Sequence, residues 1–155
     1  MSNISISSLK KLSKHGIVDN KKEIRSAEDY CQILRIKTPS IRQITRNLSG
    51  GNQQKVVLSR CLLADPEIFI VDEPTRGIDV GAKFEIYAIL NKLVESGKSV
   101  IMITSEMPEA LGLADRIYVM NEGEIKGVLS REEASQEKIM HMALLSSGEG
   151  DRIYG

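Results

Sequence analysis

The stretch LSGGNQQKVVLSRCLLADPEIFIVDEPTRGIDVGAK, residues 48–83, places several structural signals in close succession. Ser49 and two glycines precede an apolar pattern with helical spacing, and Asp65 and Pro66 end that pattern. The apolar run IFIV (68–71) comes next and predicts a strand that is buried on both faces. The stretch therefore predicts a helix that leads into a sheet.

A second strand is predicted by the run VIMI (100–103), again as a strand buried on both faces. Asp79 is a candidate N-cap and Gly97 a candidate stop for a helix between the two strands. The apolar positions of this helix are Ala82, Ile86, Leu90 and Leu93. A crossover of this length implies that the two strands pair in parallel, as in an α/β fold.

Upstream, the segment 20–39 predicts an amphipathic helix whose capping pair is Asn20 with Glu23. The start of the chain, residues 1–22, is a linker or a loose helix around Leu9 and Leu12. It carries many serines and lysines.

Downstream, a short helix is predicted around residues 105–115, followed by strands at 116–120 and 124–130 joined by a tight turn. Ser130 with Glu133 predicts the cap of a last helix.

Charge and apolar runs exclude several classes of protein. Lysine plus arginine total 21 and aspartate plus glutamate total 21, so the chain lacks the basic excess that nucleic-acid binding requires. No apolar run is long enough to span a bilayer or to act as a secretory signal. A cytoplasmic protein without a nucleic-acid partner is expected. Cys31 and Cys61 are isolated, which favours reduced core thiols over a zinc site.

Two acidic residues, Asp72 and Glu73, follow the first predicted strand. Ligands collect at the carboxyl ends of parallel strands, where one carboxylate can hold a magnesium ion and its neighbour can polarise a water. The alternative is that both are solvated turn residues, and the two interpretations are equally supported by this pair alone.

Ser49, Gly50 and Gly51 form the second candidate site. A serine before two glycines is most often an ordinary helix start. A helix N-terminus nevertheless presents free N–H groups and about half a unit of positive charge, and glycines allow an anion to approach closely. The chain contains no G-x-x-x-x-G-K-[ST] phosphate loop.

In combination, these motifs resemble the ATP-binding cassette family, and the resemblance is closest to the second cassette of bacterial carbohydrate importers of the ribose, galactose and xylose type. It covers residues from about Ile4 to about Met142. It implies a partial ABC-type ATPase fold: a helical signature subdomain plus the C-terminal half of a RecA-like parallel sheet with flanking helices, without the Walker A part. The expected divisions are a partial helical subdomain (1–47), the C-terminal part of the ATPase core (48–145) and a flexible tail (146–155).

The resemblance also implies roles for single residues. Residues 48–54 correspond to the signature motif, 68–73 to the Walker B strand, 77–79 to the loop that faces a partner cassette, and 104–106 to the switch segment. Glu73 is the expected general base, and Asp72 is expected to hold Mg²⁺ through water. The residues expected to bind ATP are Ser49, Gly50, Gly51, Gln53, Asp79 and Ser105.

Two departures from the family pattern limit the expected activity. The family's phosphate loop and glutamine loop would lie upstream of Met1, and Ser105 stands where the family usually has a histidine. Charge-assisted hydrogen bonds contribute about 1.5 to 3 kcal/mol each, so losing that loop weakens ATP binding by about three orders of magnitude or more. The isolated chain is expected to bind ATP hardly at all, and its Glu73 to be idle in its own site.

Three functional hypotheses follow. In the first, the chain is part of an importer ATPase whose partners are another cassette, membrane-embedded permease subunits and, indirectly, a sugar-binding protein, at the inner face of the plasma membrane. In the second, it is a non-catalytic pseudo-cassette that docks on another ATPase or a permease. The third, chromosome maintenance, is disfavoured because a long heptad run and a basic excess are both missing. An uncovered sheet edge and apolar face predict poor solubility or self-association.

Overall fold

The computed structural model describes residues 1–144. The chain forms two compact units, Met1–Ile103 and a second that begins at Thr104. The predicted tail, residues 146–155, lies outside the described residues, and the predicted boundary at residue 48 stays a prediction.

The first unit opens with short elements. They are α1 (Ser2–Ser5), a 3-10 turn (Ile6–Ser8), α2 (Leu9–Leu12), β1 (Ser13–Lys14) and β2 (Ile17–Val18). The two strands pair antiparallel, and the turn between them places His15 and Gly16 at φ 52° and 81°. The expected loose helix is therefore present, but the sequence pattern missed the small hairpin that follows it.

The helix α3 (Asn20–Ile33) begins one residue earlier than predicted. Its N-cap is Asp19, whose carboxylate accepts hydrogen bonds from the backbone N–H groups of Lys21 and Lys22. The predicted capping pair of Asn20 with Glu23 is wrong, because the Glu23 carboxylate accepts a hydrogen bond from the Ser5 hydroxyl at 2.6 Å instead. The Glu23 side chain thus makes a tertiary contact with Ser5 instead of the local capping contact that the sequence pattern predicts.

The next elements follow the predicted order. They are α4 (Gly50–Ala64), β3 (Ile68–Asp72), α5 (Val80–Glu95) and β4 (Ser99–Ile103). α4 ends at Asp65, which adopts the left-handed conformation with φ 55°. The Asp79 carboxylate caps α5 by accepting from the N–H of Ala82 at 2.9 Å, and Gly97 follows the helix with φ 88°, so both predicted boundaries are confirmed.

β3 and β4 pair in parallel, with Ile68 opposite Ser99 and Asp72 opposite Ile103, as predicted. Val71 lies in the main core with Ile86 of α5. The other members of that core are Ile4, Ala27, Leu34, Ile36, Val56, Leu58 and Leu90.

The prediction that both faces of these strands are buried is wrong. Ile68 and Ile70 of β3 are 57% and 67% exposed, and Ile101 and Ile103 of β4 are 52% and 51% exposed. A continuous apolar run indicates that both faces of a strand are apolar, but it does not show that both are buried. In the described part of this unit, other elements cover only one of the two faces. We call these four residues the open sheet face.

The second unit contains α6 (Met107–Leu113), β5 (Arg116–Asn121), β6 (Glu124–Ser130) and α7 (Gln136–Leu144). β5 and β6 form the predicted antiparallel hairpin around a turn in which Glu122 and Gly123 have φ 49° and 81°. The predicted pair forms, since Glu133 accepts from the N–H and the hydroxyl of Ser130. It does not cap α7, because the Ser135 hydroxyl accepts from the N–H of Lys138 at the start of that helix.

No helix within residues 1–144 combines the length and the apolar character needed to cross a lipid bilayer.

Candidate nucleotide-contact site

Ser49 is the N-cap of α4, with extended backbone angles (φ −61°, ψ 156°), and the helix begins at Gly50. An N-cap serine ordinarily turns its hydroxyl oxygen back onto the N–H groups of the first turn. Here the cap makes no such side-chain hydrogen bond. The positive end of a helix of four turns therefore stays open to an external acceptor.

The Ser49 hydroxyl is instead held by a neighbouring side chain. The Asn52 amide nitrogen lies 2.8 Å from Ser49 Oγ, and the Asn52 amide oxygen lies 2.8 Å from the backbone nitrogen of Lys37. Asn52 thus connects the start of α4 to the segment that follows α3. Sequence reasoning did not single out Asn52, because its second partner is distant in the chain.

The glycines at the start of α4 allow a close approach to the first turn of α5 and to the loop before it. A Cβ atom on Gly51 would lie 2.6 Å from Cβ of Ala82, and one on Gly50 would lie 3.2 Å from Cγ2 of Ile78. The predicted signature and the predicted partner-facing loop are consequently packed together in one unit. Gly77 has φ 73°, a conformation that favours glycine.

A cavity of about 280 Å³ opens between the N-termini of α4 and α5. Its lining residues are Lys37, Ser49, Gly51, Asn52, Lys55, Asp79, Gly81, Ala82 and Glu85. We call it the signature groove. Three of the six predicted nucleotide residues, Ser49, Gly51 and Asp79, therefore meet at one place.

Lys55 is a buried cation at the base of this groove. The residue is 3% exposed, and its ammonium group lies 2.6 Å from the Glu85 carboxylate and 3.3 Å from the carbonyl oxygen of Arg35. Since the ion pair joins α4 to α5, it holds together the two helix ends that form the groove. This role could not be predicted from the sequence pattern, because a lysine in an amphipathic helix is normally solvated.

Asp72 and Glu73 stand at the end of β3, outside the lining of the signature groove. Asp72 is exposed and lies opposite Ile103 in the sheet register. Glu73 has φ 45°, and its N–H donates to the carbonyl of Ile103 at 2.9 Å. A left-handed backbone at a residue other than glycine costs about 1 to 3 kcal/mol, and such strain is concentrated at functional sites.

The strand end suits a metal held mainly by phosphate and water. Among the residues that the structure describes, no three acidic, histidine or cysteine side chains are grouped to form a metal cage. Mg²⁺ in nucleotide sites is typically bound by one or two carboxylates together with substrate phosphates. The exposed Asp72 carboxylate fits that arrangement.

Three predicted nucleotide residues, Gly50, Gln53 and Ser105, are not among the residues that line the groove. The Gln53 side chain donates to the carbonyl of Leu48 at 2.8 Å and so stabilises the chain entry into α4. Ser105 belongs to the second unit, where it is exposed. Beside it, Thr104 donates to the buried Glu109 carboxylate at 2.6 Å and accepts from the N–H of Glu106.

Solved ATP-binding cassettes have the same fold. The likeness to the cassette MJ1267 has a TM-score of 0.73 at 22% identity and covers 91% of this chain and 60% of that chain. The likeness to a post-hydrolysis dimer of the cassette MJ0796 bound to ADP and Pi has a TM-score of 0.71 at 23% identity. It covers 84% of this chain and 56% of that chain. At these identities the likeness shows the fold alone, and it confirms the predicted partial cassette fold.

Sequence comparison then gives the family. The model of the family described as "ABC transporter" matches residues 3–76. The xylose import ATP-binding protein XylG of Thermoanaerobacter pseudethanolicus is 58% identical over 91% of this chain and 28% of its own length. The L-arabinose transport ATP-binding protein AraG of Geobacillus stearothermophilus is 57% identical over 90% of this chain and 27% of its own. The chain belongs to the ATP-binding cassette family, and it spans under a third of the length of these relatives.

Proposed function

We propose that the chain supplies the signature and Walker B portion of an ATP-binding cassette that powers carbohydrate import. The single observation that carries this proposal is the first turn of α4, which has no side-chain cap. The turn begins with two closely packed glycines and follows the exposed Ser49, whose hydroxyl lies beside it. This is an arrangement of donors without an acceptor, and a phosphate group provides the acceptor.

The ligand contacted by this site is the γ-phosphate of ATP. The Ser49 hydroxyl and the amides of Gly50 and Gly51 donate to its oxygens, and the positive end of α4 favours its negative charge. Each such charge-assisted bond contributes about 1.5 to 3 kcal/mol, so a few of them bring two polypeptide segments together only when the nucleotide is present.

The phosphates are held mainly by a different segment. The 155 residues contain no G-x-x-x-x-G-K-[ST] loop, so the loop is supplied by another cassette or by another part of a longer polypeptide. Asp79, at the rim of the signature groove, belongs to the surface that faces this partner. Contacts made in trans also explain why Ser49 and Gly50, at the start of α4, are exposed, whereas Gly51 is buried.

Asp72 and Glu73 complete the proposed chemistry. Asp72 holds Mg²⁺ through water, and the ion, when bound, neutralises charge on the phosphates. Glu73 accepts a proton from the attacking water as a general base. Ser105 carries no imidazole, so the switch position of this chain cannot exchange a proton near neutral pH. Hydrolysis in a site that uses this Glu73 is accordingly slow, whereas the trans contacts of Ser49 are unaffected.

The remaining parts of the proposal concern the whole transporter. The relatives are ATP-binding proteins of xylose import, L-arabinose transport and ribose import. We infer a carbohydrate as the transported substrate, membrane permease subunits as docking partners, and a cytoplasmic position at the inner face of the membrane. The identity of the sugar is determined by the permease and its binding protein.

A second candidate function is that of a non-catalytic pseudo-cassette. The observation in its favour is Ser105, since a switch without an imidazole suits a module that docks without turnover. The two functions differ in how association with a cassette depends on ATP. A docking module binds with or without ATP, whereas the proposed ATPase portion associates only when ATP is bound.

The test is an association measurement with a hydrolysis-blocked cassette that carries an intact phosphate loop. We expect association in the presence of ATP and Mg²⁺, little without them, and none for Ser49→Arg, whose side chain obstructs the helix end. Equal association of Ser49→Arg and the wild-type chain, with and without ATP, would support the pseudo-cassette and rule out the trans contact.

A further inference from the structure

We propose that Asn52 is a positioning residue, which holds the Ser49 hydroxyl in the orientation that donates its proton to the nucleotide phosphate. This inference rests on the function proposed above and adds a residue to the same site. Its basis is the pair of hydrogen bonds that the Asn52 side chain makes, one to Ser49 Oγ and one to the backbone of Lys37, both at 2.8 Å.

The orientation of the Asn52 amide follows from its partner in the backbone. The N–H of Lys37 can only donate, so the Asn52 atom next to it must be the amide oxygen. The amide nitrogen therefore faces Ser49. An amide NH₂ group donates and does not accept, so in this contact Ser49 Oγ is the acceptor.

The state of the hydroxyl proton follows from the same contact. A serine hydroxyl has one proton to donate and two lone pairs. Asn52 occupies a lone pair, and the oxygen makes no capping bond to the first turn of its own helix. The proton thus remains for an acceptor outside the chain, next to the open N–H groups of α4. A phosphate oxygen can accept from both.

The bond to Lys37 makes this arrangement rigid. It joins positions 15 residues apart in the sequence and ties Asn52 to the segment after α3 rather than to α4 alone. Without it, the amide could rotate and present its oxygen to Ser49, whose hydroxyl would then donate inward. The Lys37 contact therefore selects which of two hydroxyl orientations the site presents.

The experiment has two parts, both on the full chain. In ¹⁵N NMR spectra without nucleotide, Ser49→Ala is expected to shift the side-chain amide signals of Asn52, and Asn52→Ala to shift the backbone signal of Lys37. In the ATP-dependent association assay, Asn52→Ala is expected to weaken binding about tenfold, the size of one charge-assisted hydrogen bond. The matched control Asn91→Ala, at an exposed position of α5, is expected to bind as the wild-type chain does.

A double-mutant cycle separates positioning from folding. If Asn52 acts through the Ser49 hydroxyl, Ser49→Ala/Asn52→Ala binds no more weakly than Ser49→Ala alone. Additive losses, wild-type binding by Asn52→Ala, or unchanged Asn52 signals in Ser49→Ala would each overturn the inference. A wild-type chain that shows no ATP-dependent association would overturn the proposed function, and the inference with it, whatever the NMR spectra show.

Discussion

At the scale of single residues, the packing at the start of α4 requires glycine, because there is no room for a side chain at Gly51. Gly51 approaches Ala82 so closely that even a methyl group would displace one helix from the other. Gly51 and Ala82 also both line the signature groove. Substitution at Gly51 therefore tests packing and site geometry together.

We predict that Gly51→Ala lowers the free energy of unfolding by about 1 to 3 kcal/mol, the usual cost of overpacking a close contact. Gly112→Ala, in α6, is the control, because a Cβ at that position meets no atom within 4 Å. No loss of stability is expected for it, since alanine favours a helix more than glycine does. Urea unfolding of the two variants gives the comparison, and equal stabilities would show that the close contact with Ala82 is unimportant.

At the scale of elements, α4 and α5 are joined by an ion pair whose two members differ in exposure. The Lys55 side chain is 4% exposed and the Glu85 side chain is 50% exposed. Removing the carboxylate leaves a buried cation without its counter-ion, whereas removing the cation leaves a carboxylate that water can solvate. The two single variants are therefore expected to differ in stability.

Glu85→Gln is predicted to lower the free energy of unfolding by roughly 1 to 2 kcal/mol, a value reduced from that of fully buried pairs because Glu85 is half exposed. Lys55→Met keeps the apolar stem and is expected to cost less than about 1 kcal/mol. Chemical denaturation measures both. A larger loss for Lys55→Met than for Glu85→Gln would contradict this account of the pair.

The helix α3 makes the stability of the first unit sensitive to alkaline pH. Burial raises the pKa of the Cys31 thiol above its ordinary value of 9.0, and burial, followed by the charge of Asp65, raises the pKa of the Tyr30 hydroxyl above 10.0. The unfolded chain therefore releases these protons at a lower pH than the folded chain. Their contribution to stability is complete below about pH 9 and is lost as the pH rises.

We predict that the free energy of unfolding falls from about pH 9 upward. For the double variant Tyr30→Phe/Cys31→Ala, we expect this free energy to fall less steeply with pH than for the wild-type chain. Denaturant titrations at several pH values between 8 and 10.5 give both slopes. The difference between the slopes is the relevant quantity, because lysines elsewhere titrate in both proteins. Identical slopes would show that burial of the two groups does not affect stability.

At the scale of the whole molecule, the sequence predicted the order of the elements because helix periods, apolar runs and breaking residues are local signals. It predicted Ser49 as a helix start and Asp79 as a cap for the same reason. It missed the roles of Asn52 and Lys55, whose partners Lys37 and Glu85 are distant in the chain. It also predicted too much burial, because an apolar strand does not reveal what covers it.

The open sheet face, Ile68, Ile70, Ile101 and Ile103, supports the expectation of self-association. We predict concentration-dependent association in sedimentation velocity, and less of it for Ile70→Thr/Ile101→Thr, which keeps strand-forming residues. The control Ile17→Thr/Val18→Thr removes exposed apolar side chains from the β1–β2 hairpin and is expected to change little. A wild-type chain that stays monomeric and melts in one sharp transition would contradict this prediction.

The central claim is that the donors at the start of α4 contact a triphosphate that another segment holds. It is tested most directly by titrating a fluorescent ATP analogue, with Mg²⁺, into the isolated chain and into its mixture with a hydrolysis-blocked cassette that carries a phosphate loop. The account predicts no saturable binding by the isolated chain, and tighter binding by the cassette when the wild-type chain, but not Ser49→Arg, is present. Saturable binding by the isolated chain, or an equal effect of Ser49→Arg, would contradict it.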